Sequence, residues 1–83
     1  MTKLLLLTNN QVLVSGIEEV GGDIGEPDCK LTKPFLLNQS NETLSPWLID
    51  FSSQDTFMIS SDKILTIAEP SEKLLKKYED LTK

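Results

Sequence analysis

The stretch Thr56 to Ile67, reading T-F-M-I-S-S-D-K-I-L-T-I, restricts the fold more than any other part of this chain. Two short runs rich in β-branched and other apolar residues flank Ser60-Ser61-Asp62, a cluster of turn formers, and the simplest local structure is a tight antiparallel hairpin. Left at the edge of a small monomeric domain, the apolar runs Phe57–Ile59 and Ile64–Ile67 would form a sticky strand edge.

The rest of the chain supplies strands to pair with them. Lys3–Leu7 and Gln11–Val14 are strand-like runs around Thr8-Asn9-Asn10, and asparagine tolerates positive φ well enough for Asn9-Asn10 to form a primed hairpin turn. The second run continues through Ser15 to Val20. Val12, Val14 and Gly16 lie on one parity and Leu13, Ser15 and Ile17 on the other. A strand apolar on both faces is buried on both, or bends so that its parts meet different layers; Gly16 is well placed for a bend. Gly21–Pro27, with three glycines and a proline, is a solvated loop whose spacing fits no phosphate-binding fingerprint. Cys29–Leu37 reads as a third strand, which Pro34 places at an edge or brings to an end.

Asn38–Leu44 is a polar insert, including two Asn-x-Ser/Thr patterns. Ser45-Pro46 then opens either a single helical turn over Trp47–Phe51 or a short strand. Trp47 and Phe51 are expected to anchor the core or a subunit interface. Ser71 is a candidate N-cap for a helix over about residues 71–82, whose Leu74, Leu75, Tyr78 and Leu81 recur at helical spacing and should pack on the β region. Lys73, Lys76 and Lys77 form its solvated face.

At 83 residues this is one domain, 1–83, with a small core for which oligomerisation is a natural support. The net charge of −5 argues against a protein that coats nucleic acid, and all eight cations are lysines, so bidentate arginine contacts are absent. With no histidine, no arginine and one cysteine, the common acid-base and nucleophilic constellations cannot be assembled. The chain is read as a non-enzyme, with no cofactor and no metal site. Its only early apolar run, Leu4–Leu7, is too short for a signal or a membrane span, which predicts a cytoplasmic protein.

The order of these features resembles the Sm/LSm family. Ile59, Ser60, Ser61, Asp62, Ile64 and Ile67 follow the order of that family's second motif. Leu4–Leu7, Thr8–Asn10 and the long run Gln11–Val20 with Gly16 are similar to its first motif, and the whole resembles the small Sm-like proteins of marine cyanophages. Gly21–Asp28 departs from the family's compact inner loop. The resemblance implies a mostly β fold, a small, strongly bent five-stranded antiparallel barrel (SH3-like) over about residues 3–68; most Sm relatives carry their helix before the first strand, whereas here the periodicity puts an α-helix at the C-terminal end. It also implies a homo-oligomeric ring joined through the Phe57–Ile67 strand edges, with single-stranded RNA or DNA bound at the pore. The nucleic-acid-binding residues so implied are Ser60, Ser61, Asp62 and Lys63 of the turn, with Lys30 and Lys33 beside the preceding loop; if the source is a phage, the compartment is the host cytoplasm. The alternative reading is a non-catalytic phage assembly or adaptor module on the same small barrel, with a protein as partner.

Overall fold

The computed structural model describes residues 2–48 and 52–82. Six strands and one helix follow in chain order: β1 (Thr2–Leu7), β2 (Val12–Glu19), β3 (Cys29–Asn38), β4 (Thr43–Pro46), β5 (Thr56–Ile59), β6 (Ile64–Ala68) and α1 (Glu72–Leu81). They form one antiparallel sheet in the order β4-β3-β2-β1-β6, with β5 also paired to β3. The fold is mostly β with a C-terminal helix. It has six strands instead of five, and the sheet is not closed into a barrel, because β5 and β6 pair with β3 and β1 and not with each other.

That pairing corrects the hairpin expected at Thr56–Ile67. Ser61–Lys63 forms a single 3-10 turn, closed by the Lys63 N–H donating to the Ser60 carbonyl (3.0 Å), and it carries the chain from one part of the sheet to another. Local turn chemistry was compatible with a hairpin, but each strand found a better partner far away in sequence.

β1 and β2 join through Thr8–Asn10. The Asn10 N–H donates to the Leu7 carbonyl (3.0 Å), Asn10 takes φ 69°, and the Asn9 side chain accepts from the Gln11 N–H (3.0 Å). Only Asn10 is left-handed, so the loop is a three-residue connection and not the primed two-residue turn expected.

Both faces of β2 are covered, as its sequence implied. Leu13 joins Leu5, Leu7 and Leu31 in a fully or nearly fully buried cluster on one face of the sheet. Val14 joins Phe35 and Tyr78 on the other, with Leu4, Leu44 and Leu74 packed against them. The helix therefore lies on a sheet face. The Ser71 hydroxyl accepts from the Leu74 N–H (3.2 Å) as its N-cap, Tyr78 is 6% exposed, and its ring meets Phe35 edge-on with centroids 5.6 Å apart. Leu74 and Leu75 are half-buried, while Leu81 stays exposed, so the apolar stripe fades towards the helix end.

Pro34 is neither at an edge nor at a strand end. It is buried in the middle of β3, where that strand changes neighbours: Cys29–Thr32 pair with β5 and Phe35–Asn38 with β4. On the β2 side the register shifts between Val14 and Gly16, and Lys33 takes φ 50°. A proline is tolerated where the ladder is already interrupted, since no donor is missed there. The Tyr78 hydroxyl donates at this break to the carbonyls of Lys33 (2.9 Å) and Thr32 (3.2 Å). The fully buried Ser15 hydroxyl also reaches the Thr32 carbonyl (3.2 Å).

The polar insert gives way to a short strand earlier than expected, β4 at Thr43–Pro46, while the turn or strand expected over Trp47–Phe51 falls largely on residues 49–51, outside the described residues. Trp47 packs edge-on against Phe57, with centroids 5.7 Å apart. Phe51, expected as a second anchor, lies outside the described residues.

Candidate functional site

The six residues expected to touch nucleic acid divide between two places. Ser60, Ser61 and Asp62 line a depression of about 290 Å³ together with Asp23, Glu26 and Asp28 of the β2–β3 loop. Asp28 organises it. Its carboxylate accepts from the Ser61 N–H (2.7 Å) and from the Ser61 hydroxyl (2.8 Å), which clips the loop to the 3-10 turn. These hydrogen bonds, the side-chain one foremost, hold the Asp28 carboxyl below the usual carboxylate range. Three carboxylates of the loop thus line the depression beside the turn, which adds Asp62 of its own, and both Ser61 donors are engaged. No group of three or more His, Cys, Asp or Glu side chains among the described residues is arranged to hold a metal ion.

Lys63 ends the turn, exposed and with no side-chain partner among the described residues. Its carbonyl accepts from the Thr8 N–H (2.9 Å), which ties the turn to β1. Lys30, in β3, faces Glu18 of β2 at 3.7 Å. Lys33 belongs elsewhere: it sits at the break in β3, and its ammonium donates to the Thr82 carbonyl at the end of α1 (3.4 Å). The three lysines do not converge on the turn. Cys29 is buried beside it, and burial, reinforced by the charges of Asp28 and Glu19, pushes its thiol above the ordinary value and away from reactivity.

The second feature is the β6 edge. Among the described residues β6 pairs with β1 alone, and no strand lies on its other side. Leu5 lies opposite Ile67 and Leu7 opposite Ile64, so Ile64 and Ile67 share the face of the buried leucine cluster. Leu65 is the extra residue of a bulge, since Leu6 pairs with Thr66 and Leu7 with Ile64. Leu65 is nevertheless 60% exposed and Ile67 54%. With Ile17, Cys29 and Ile64 they line a depression of about 400 Å³, rimmed by Glu18 and Glu19. The core face therefore runs out uncovered at this edge. Met58 of β5, 50% exposed, is the other large apolar side chain left open on an edge strand. At the opposite end of the sheet β4 carries Pro46, which lacks a donor and blunts that edge.

Sequence reasoning named the Phe57–Ile67 edges and the turn, but missed Asp28 as the residue that holds the turn. The signal was slight: an aspartate just after proline, with its serine partner 33 positions away. No helix among the described residues is long and apolar enough to cross a membrane.

Comparison with curated proteins gives no match. The family model that matches the chain is not that of the Sm/LSm proteins, and it overturns the resemblance drawn from the order of strands and turn residues. The order of short apolar strands and polar turn residues did not distinguish one small β family from another. The match extends over residues 1–83, the whole chain, and the protein belongs to the family of unknown function DUF6561.

Proposed function

We propose that this protein is a non-catalytic assembly module that works by extending its sheet across the free edge of β6. The observation that carries the proposal is the pair Leu65 and Ile67, both more than half exposed on a strand that pairs on one side only among the described residues, with Ile67 continuous with the core face. A free edge bearing large apolar side chains is a template for another strand; Ile64–Ala68 contains no charged residue and no proline, and the bulge at Leu65 is its one blunting feature. An 83-residue domain also gains most from a partner that completes its core. The lone unpaired Cys29 and the acidic surface suit a reducing compartment such as the cytoplasm.

The test is the mass in solution across a range of protein concentrations. The wild type should associate, and Ile67→Lys, which places a charge on the edge without touching the buried cluster, should shift it to monomer while remaining folded. A wild type that stays monomeric at every concentration would refute self-assembly.

Single-stranded RNA or DNA bound at the Ser60–Lys63 turn is a second reading, favoured by Lys63, exposed and with no side-chain partner among the described residues. The carboxylates around the turn and the engagement of Ser61 by Asp28 support it less well than the edge supports assembly. Loss of oligonucleotide binding in Lys63→Ala at low salt, with the mass unchanged, would move this reading ahead.

A further inference from the structure

We infer that the cavity beside the break in β3 is a binding site for a free amino acid with a large apolar side chain. The inference does not rest on assembly at β6. The cavity measures about 300 Å³ and is lined from the end of β4, the segment entering β5 and the end of α1. That is the lower end of the range of small-ligand sites, room for one amino acid. Trp47, Phe57, Pro34, Pro46 and Leu81 give it an apolar lining, with the two aromatic rings edge-on to each other.

Two opposite charges belong to the same lining. β3 and β5 pair as far as Thr32 and Thr56, and one step further Lys33 faces Asp55, whose carbonyl accepts from the Lys33 N–H (2.6 Å). Across a regular ladder, a lysine and an aspartate so placed are close enough to pair. Here φ 50° at Lys33 interrupts the ladder, and its ammonium instead donates to the Thr82 carbonyl at 3.4 Å. The Asp55 carboxylate accepts from the Thr56 hydroxyl at 3.3 Å. Both bonds are long, and each leaves most of the group's hydrogen-bonding capacity unused. Neither charge is in an ion pair among the described residues, although both line the cavity. A left-handed backbone favours glycine, so a lysine kept in that conformation points to a use for its side chain.

The class of ligand follows from this combination. A carboxylate meets Lys33, an ammonium meets Asp55, and an apolar group on the same carbon fills the space against Trp47 and Phe57. An apolar acid would satisfy Lys33 and leave its own charge facing Asp55; an apolar amine would do the reverse.

Trp47 is the single tryptophan of the chain, so its fluorescence reports the cavity directly. L-phenylalanine should change that emission saturably. Phenethylamine lacks the carboxylate and hydrocinnamate lacks the ammonium, and each should bind at least about tenfold more weakly. Lys33→Gly suits the left-handed backbone and removes the ammonium while keeping the fold. It should bind L-phenylalanine no better than phenethylamine, and Asp55→Asn should bind it no better than hydrocinnamate. No saturable response to L-phenylalanine up to about 10 mM would overturn the site. Three ligands bound alike by the wild type would overturn it as well, by showing the two charges to be idle. Repeating the titrations in Ile67→Lys separates this result from the state of assembly.

Discussion

Replacing Tyr78 by phenylalanine isolates one hydroxyl at the point where β3 breaks. In the wild type it donates to the Lys33 carbonyl at 2.9 Å and the Thr32 carbonyl at 3.2 Å, beside a residue held at φ 50°. Phenylalanine keeps the edge-on contact with Phe35 and the fill of the second cluster. Thr32 retains the Ser15 hydroxyl, so the carbonyl left with less is that of Lys33. The expected loss is about 1–2 kcal/mol, one hydrogen bond plus partial desolvation of its acceptor. Tyr78→Ala, which also empties the ring's site, should cost about 3–5 kcal/mol. Against a total of roughly 4–12 kcal/mol for a domain of this size, the first is a fall in Tm of about 5–12 °C and the second approaches unfolding.

The comparison belongs in thermal and urea unfolding at a fixed protein concentration, because association shifts apparent stability by mass action. The alkaline limb supplies an internal check. Burial pushes the Tyr78 hydroxyl above the ordinary tyrosine value. Its contribution is therefore complete below the unfolded-state value and is lost as pH rises beyond about 10 through the folded one. Cys29 titrates identically in both proteins, so the gap between wild type and Tyr78→Phe should narrow over that range. A Tm for Tyr78→Phe within about 1 °C of wild type would show that the hydroxyl does not hold the break, and that packing alone does.

Asp28→Asn should loosen the clip to Ser61, lowering Tm near pH 7, with hydrogen exchange at the Ser61 amide faster than in the wild type. Because the folded-state value of Asp28 is depressed, its contribution is present above the usual carboxylate range and lost as pH falls through the folded value, so the two proteins should converge once pH falls below it. Ser71→Ala removes the N-cap of α1 and should cost about 1 kcal/mol in urea unfolding, with Ser71→Asp restoring it.

What could be read from the chain alone was whatever local patterning controls. Val12–Ser15 announced a strand covered on both faces, and the structure puts Leu13 and Val14 into different clusters. Leu74, Leu75 and Tyr78 announced a helix docked through one stripe, and Ser71 its start. The failures came where a distant partner decided. Nothing within Thr56–Ile67 says that β5 will pair with β3 and β6 with β1, and the hairpin was the better local answer. Pro34 looked like the end of a strand because a proline rule cannot see that β3 exchanges β5 for β4 at that residue. The lysines were grouped by their nearness to one loop, whereas the break in β3 sends Lys33 towards the end of α1. Asp28 could not be matched to Ser61 by spacing, since the contact exists only once the sheet has formed.

The pairing of β1 with β6 has a consequence for the chain as it is made. Lys3 and Glu69, which meet across this ladder, are 66 positions apart. At ribosomal rates of about 5–20 residues per second, β1 emerges roughly 3–13 s before its outer neighbour exists. Through that interval the leucine-rich strand Thr2–Leu7 can close its inner side against β2 but leaves the other open to passing chains. The last strand synthesised is thus the shield for the first, and a ribosome stalled between Ala68 and the hairpin of β1 and β2 would hold out a half-paired strand of four consecutive leucines.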